Sequence, residues 1–194
     1  DLARVREAFE QVPWVRSAVV HREYPGTLRI QLREHEAAAY WGPEVGASLL
    51  NTDGEVFEAN TGDIEQDDLP RLQGPEGQSL AVLQMYRQLG PVFSALPLVL
   101  SALQAAPRGG WRATFDSDAV VELGGGTTEE VLERSRKFVQ TLDEVVGHYR
   151  RRVDALESAD LRHAGGYALR LRGVTTLVGD AANSPGGVPR ARAR

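Results

Sequence analysis

Residues 28–33 read Leu-Arg-Ile-Gln-Leu-Arg, a strict alternation of apolar with charged or polar side chains. Successive side chains of a strand point to opposite faces, so this segment is expected to be a strand with one buried and one wet face. Upstream the period changes. Leu2, Val5, Ala8, Phe9 and Val12 fall at helical spacing, and Pro13 ends that helix because the residue before a proline resists the α conformation. Ala18–Tyr24 reads as a further strand, joined to residues 28–33 through Pro25-Gly26, a pair suited to a type II turn. Residues 1–36 are therefore expected to be helix–strand–strand.

A second region begins near Ala37. Leu49–Asn51 and Glu55–Phe57 flank Thr52-Asp53-Gly54, a hairpin signal. Asp67–Gly77 reads as an irregular stretch punctuated by Pro70, Gly74, Pro75 and Gly77. Ser79 is placed to cap a helix carrying Val82, Leu83, Tyr86 and Leu89, which Gly90-Pro91 should stop or kink. Leu98–Leu103 is a strand candidate, and Trp111–Phe115 with Ala119–Leu123 reads as a hairpin turning at Asp116-Ser117-Asp118. Thr127 and Glu130 have capping-box spacing, ahead of a helix expected to bury Val131, Leu132, Ser135, Phe138, Val139, Leu142 and Val146. Arg152–Leu156 and Tyr167–Leu171 are the last strand candidates, and residues 173–194 are expected to be a disordered tail.

With 42% hydrophobic and 25% charged residues, the 194-residue chain can bury a core without staples. It has no cysteine, which removes disulfides, thiolate metal sites and cysteine nucleophiles. A net charge of −5 argues against a nucleic-acid binder. No apolar run reaches the length that spans a bilayer.

The familiar catalytic motifs are missing. His35-Glu36 begins like a zinc-protease helix, but Ala39 stands where the second histidine must be. Gly124-Gly125-Gly126 fails as a dinucleotide loop, since Glu129 replaces the third glycine of that motif. The only lysine, Lys137, lies in a helical pattern and follows no glycine, so there is no phosphate-binding loop. Glu65, Asp67 and Asp68 read as a solvated loop, and Glu129, Glu130 and Glu133 as residues favouring a helix start. No catalytic residue, metal site or cofactor is expected.

Several segments, in order, resemble the bacterial cell-division family FtsQ/DivIB. Pro13-Trp14-Val15, Ala18-Val19-Val20, Arg22, Tyr24-Pro25 and Leu28-Arg29-Ile30 are similar to the second half of its POTRA domain. Glu34–Trp41 is similar to the junction that follows, with Ala37 where relatives carry proline. Leu50, Asp53-Gly54 and Val56-Phe57, then Leu69–Gly77, Trp111, Leu123-Gly124, Asp160-Leu161-Arg162 and Gly166 continue the series. The resemblance implies an α+β fold. A partial POTRA domain (α-β-β, residues 1–36) precedes a β domain (37–172) with a mostly antiparallel sheet and two packed helices. It also implies a POTRA strand and helix upstream of Asp1, and a single membrane helix absent from this chain that holds it on the outer side of the inner membrane.

The function so implied is a non-enzymatic divisome scaffold. Its partners are FtsB and FtsL, with other division proteins at the POTRA region and no nucleic acid. FtsB docks by adding a strand to an open sheet edge, where unpaired main-chain groups await a neighbour. The partner-binding residues carried over are Arg162, His163, Gly165, Gly166, Tyr167, Ala168, Leu169, Arg170 and Leu171, with Trp41 at the domain junction. Arg162 matches the family arginine that faces a partner carboxylate. His163 stands where relatives often have tyrosine, and Gly125 where they often have a basic residue. A helix preceding the added strand is expected to contact the β domain as well, because one strand alone falls short of an interface of about 1,600 Å².

On the residues alone, other readings stand beside these. Leu69–Gly77 is explained by backbone geometry as a fixed connection. Trp14, Trp41 and Trp111 suit core or junction positions, and Trp41 is the one best placed to touch a partner. Arg150-Arg151-Arg152 fits either an anionic patch reader or a solvated helix end. Two rival functions are a POTRA module of an outer-membrane assembly or secretion machine and a cell-wall hydrolase. The first needs POTRA repeats or a many-stranded barrel, and the second needs a cleft with two spaced carboxylates.

Overall fold

The computed structural model describes residues 1–43, 48–59, 69–163 and 165–174. The expectations placed on Glu65, Asp67, Asp68 and residues 175–194 lie outside them.

The amino-terminal unit is helix–strand–strand, as its periods require. Helix α1 (Leu2–Glu10) starts at Asp1, whose carboxylate accepts the amide of Ala3. Strands β1 (Val15–Glu23) and β2 (Thr27–Glu34) form an antiparallel pair, with Ala18 opposite Leu32 and Val20 opposite Ile30. Two expectations change here. The turn is not type II: the Tyr24–Pro25 bond is cis and Gly26 has no positive φ. The apolar face of β2 is not buried either, since Leu28, Ile30 and Leu32 are 44%, 37% and 42% exposed. Helix α1 lies against β1, and every residue of β2 is exposed.

The second unit is a nine-stranded sheet with two long helices. Its strands are β3 (Ala37–Trp41), β4 (Ser48–Asn51), β5 (Val56–Phe57), β6 (Arg71–Gln73), β7 (Leu100–Ala105), β8 (Trp111–Phe115), β9 (Val120–Gly124), β10 (Leu156–Asp160) and β11 (Ala168–Leu171). They lie side by side in the order β11-β10-β9-β8-β7-β6-β3-β4-β5. Neighbours are antiparallel except β10 with β9, β3 with β6 and β6 with β7. The fold class is therefore α+β with a mostly antiparallel sheet.

Helix α2 (Ser79–Phe93) packs on β6 and β7, α3 (Thr128–His148) packs on β9, and the helices touch each other. The core between helices and sheet includes Leu72, Leu83, Leu89, Phe93, Leu103, Phe115, Leu123, Phe138 and Leu142, all essentially inaccessible. Val139 alone of the α3 residues named above is only half-buried. The capping box forms as spaced: Thr127 Oγ1 accepts from Glu130 N, and Glu130 Oε2 accepts from Thr127 N.

Four local readings are corrected. Residues 71–73 are not loop but strand β6, held between β3 and β7 around the fully buried Leu72. A single buried side chain over three residues shows no period, so the prolines and glycines dominated the reading. Ser79 does not cap α2. Its hydroxyl donates to the Gly54 carbonyl at 2.7 Å, and Gln78 occupies the cap position without a side-chain bond. Helix α2 also runs through Gly90-Pro91 to Phe93, because a proline this near the end removes only one of the last amide bonds while Phe93 gains full burial. Finally, Arg152–Leu156 is not a strand: residues 153–155 form one 3₁₀ turn, and β10 starts at Leu156.

Candidate functional site

The carboxyl-terminal strand sits at the rim of the large sheet. β11 pairs antiparallel with β10, with Ser158 opposite Arg170, Ala159 opposite Leu169 and Asp160 opposite Ala168. Among the described residues β10 is its single neighbour. Arg172 N donates inward to Ala155 O at 2.8 Å. Backbone polar groups alternate sides along an antiparallel strand, so the amides of Ala168 and Arg170 also point to β10, while those of Leu169 and Leu171 point to the open edge.

Between β11 and α3 lies a groove of about 1020 Å³. Its floor is apolar: Phe138, Leu161, Tyr167, Leu169 and Leu171. The Tyr167 ring meets Phe138 edge-on at 5.0 Å, and its hydroxyl is 2.8 Å from Thr141 Oγ1. These contacts tie the start of the strand to α3. The walls carry Arg134, Lys137, Arg162 and Arg170, and no acidic side chain lines the groove among the described residues. A chain with net charge −5 thus concentrates cations in one place. Oriented positive charge of this kind attracts an acidic partner and sets its register.

Arg162 differs in detail from its expected role. It is exposed, but its guanidinium is already held in the chain: Nε donates to Asp160 Oδ1 at 2.8 Å and Nη2 to Asp160 Oδ2 at 2.6 Å. Bonds from the Arg162 side chain and backbone hold the Asp160 carboxyl well below the ordinary carboxylate range. Arg170 makes a looser pair with Glu157 at 3.6 Å, with most of its side chain in solvent. His163, Gly165 and Gly166 are exposed in the connection between β10 and β11. Tyr167 precedes the strand instead of belonging to it.

Trp41 stands apart. It lies in β3, half-buried and packed on the main core, with five strands between it and β11. At about 4.8 Å per strand step, one added strand at β11 does not reach it. Trp14 and Trp111 are half-buried too, Trp14 against Phe57 with ring centroids 5.4 Å apart. Of Arg150-Arg151-Arg152, all exposed, Arg151 bonds the Gly173 carbonyl. The helix side of the groove was missed in the sequence. Its signal was present as Arg134, Phe138, Thr141 and Val145, a stripe at helical spacing of which only Phe138 was read, as a core residue.

No group of three or more His, Asp or Glu side chains among the described residues is arranged to hold a metal. No described helix is long and apolar enough to cross a membrane.

Comparison with known proteins decides the family. Residues 39–162 match the family described as cell division protein FtsQ/DivIB, C-terminal, and residues 1–35 match the FtsQ-type POTRA domain. The chain belongs to the FtsQ/DivIB family. It is 34% identical to cell division protein FtsQ of Thiomonas arsenitoxydans over 90% of this chain and 64% of that protein. The figures for FtsQ of Bordetella pertussis are 35%, 88% and 66%, and for FtsQ of Burkholderia pseudomallei 35%, 91% and 68%. The chain therefore spans about two thirds of the length of these relatives. The POTRA match covers α1, β1 and β2, and the FtsQ/DivIB match ends at Arg162, just short of β11.

Proposed function

We propose that this FtsQ-family chain is a non-enzymatic scaffold of the division machinery on the outer side of the inner membrane. It recruits FtsB, and through it FtsL, by strand addition to β11. The observation that carries the reading is the juxtaposition of an extended edge strand with a groove of complementary build. Leu169 offers its outward amide and carbonyl and Leu171 its outward amide, the Leu171 carbonyl already accepting from Val174 N, and an added strand satisfies them as a ladder neighbour does. The groove alongside is apolar at its floor and cationic at its walls, which suits an amphipathic helix with acidic residues leading into that strand. A steady complex needs about 1,600 Å² in total, more than one added strand supplies, so the groove is expected to contribute. The POTRA unit, 1–36, is free to engage other division proteins. A hydrolase reading is disfavoured by the same groove, because a basic lining is the wrong chemistry for a two-carboxylate mechanism.

The test is a binding titration with the extracytoplasmic segment of the cognate FtsB. Leu169→Pro removes one outward amide without touching the bonds to β10, and Arg162→Glu reverses charge at the groove. Both are expected to weaken binding at least about tenfold, a difference of roughly 1.4 kcal/mol. Wild-type affinity in Leu169→Pro moves the site away from β11.

A further inference from the structure

Where β2 passes into β3, a polar cluster joins the two units, and strand addition does not use it. Asn51 ends β4 and is 1% exposed. Its Oδ1 accepts from the amides of Asp53 at 3.0 Å and Glu55 at 2.8 Å. Those two bonds fix the orientation of the side-chain amide. Nδ2 therefore faces the other way, donating to Glu55 Oε2 at 2.7 Å and meeting His35 Nδ1 at 2.9 Å. An amide nitrogen only donates, so Nδ1 is the acceptor and the ring proton of neutral His35 sits on Nε2. The same imidazole stacks on Phe57, with centroids 4.2 Å apart and planes 8° from parallel. His35 N donates to Trp14 O at 2.8 Å, and Thr52 N donates to Glu36 O at 3.0 Å.

We infer that His35 is an acid-sensitive latch between the POTRA unit and the β domain. Neutral His35 accepts from Asn51 and closes the joint, whereas a proton on Nδ1 sets N–H against N–H and opens that bond. Asn51 has no second pose to offer, because turning its amide would strip Asp53 N and Glu55 N of their shared acceptor.

The charges around the ring are mixed. Arg16 of β1 pairs with Asp53 and Glu55, its Nη2 lying 3.0 Å from Glu55 Oε1. Glu34 and Glu36 flank His35 along the chain and are exposed, and Arg33 lies with them beside the same small cleft. Burial lowers the imidazole below its ordinary 6.5, Glu55 pulls it up, and Arg16 pushes it down again. The net depression fixes the sign. The latch contributes in full above pH 6.5 and weakens as the pH falls from there to the depressed value, below which nothing more is lost. Glu55 is held low by its bonds from Asn51 and Arg16, so the Arg16 ion pairs persist through this window. Acid therefore loosens the joint without severing it.

The experiment is made on this chain by NMR. Ring nitrogen shifts at about pH 7.5 should show a bare Nδ1 and a protonated Nε2, and titration should place His35 below free histidine. Exchange protection of the His35 and Thr52 amides, corrected for intrinsic rate, should fall several-fold between about pH 7.5 and pH 5.5. In His35→Gln, which keeps an acceptor oxygen and has no proton to gain, that fall should vanish. A ring protonated on Nδ1 at neutral pH, titration at or above 6.5, pH-independent protection in the wild type, or an undiminished fall in the variant each overturns the latch. The ring measurement uses the unaltered protein, so it decides even if the variant folds poorly.

Discussion

In the β domain Leu49, Leu72, Leu103 and Leu123 are wholly inaccessible, while in the POTRA unit Leu28, Ile30 and Leu32 of β2 all lie in solvent by more than a third. Both sets lie in well-paired strands, and in β2 the apolar residues alternate strictly with polar ones. The difference is the layer above them. Two helices of 15 and 21 residues roof the large sheet, and one helix of nine residues with no buried side chain leans on β1. Alternation states which side chains seek cover. It does not state whether cover is there, and stability follows the cover.

The sharpest way to break this contrast is a matched pair of truncations. Phe138→Ala empties a site at the centre of the α3 contact and should cost about 3–5 kcal/mol. Ile30→Ala removes a partly wet side chain and should cost under about 1 kcal/mol. Urea unfolding of the two variants measures both. Equal losses would show that the hairpin face is covered after all.

The joint between the regions comes next. Phe57 is 8% exposed, and it receives Trp14 edge-on and His35 face-on. It is thus the main apolar contact from the β domain to the smaller unit. Phe57→Ala should cost roughly 2 kcal/mol, below the range for fully buried aromatics because a single short strand carries it. The informative readout is local. Amide exchange should rise across β1 and β2 and stay unchanged in α3, and a uniform rise would mean the units share one cooperative transition.

A smaller effect tests the roof itself. Thr127→Ala removes the acceptor for the Glu130 amide and should cost about 1 kcal/mol, read as a lower thermal midpoint. The reciprocal bonds from Thr127 hold the Glu130 carboxyl below its ordinary 4.5. A depressed carboxylate stabilises above its unfolded value and loses that contribution as the pH falls through the folded one. Thr127→Ala keeps the backbone amide that bonds the carboxylate, and the cap bond it loses does not titrate, so part of its deficit against wild type should persist at every pH.

How much of this could be read in the sequence depends on how many residues carried each signal. The capping box and the α3 stripe extend over twenty residues, and both were legible. The hairpin at Asp53-Gly54 was legible because Gly54 takes φ +83°, where a side chain is strained and a built Cβ would lie 2.7 Å from Leu80. Strand β6 was not legible, since its place depends on β3 and β7, about thirty residues away on either side. The site divides in the same way. A strand has a local pattern, and Tyr167–Leu171 showed one, whereas its place at an edge was implied only by the family resemblance. The basic groove exists only where α3 passes β11, and neither segment announces the other. The distance of Trp41 from the edge strand was not legible, because sheet order, which sets it, is not written in any one strand.

The smallest expected effect on stability bears most directly on the edge. Asp160 forms a two-bond pair with Arg162, which lines the groove. Arg162 holds the Asp160 carboxyl far below the ordinary range, so the carboxylate is charged and paired at neutral pH. The carboxylate therefore screens the arginine from any acidic visitor. Asp160→Asn keeps the shape and one acceptor oxygen while removing that screen. The thermal midpoint should hardly move, because exposed ion pairs contribute little. Affinity for an acidic partner segment should rise a few-fold and become more dependent on salt, as a freed rim charge accelerates encounter. A weaker complex would show instead that Asp160 itself is part of what the partner reads, and that the cationic walls are not the recognition element.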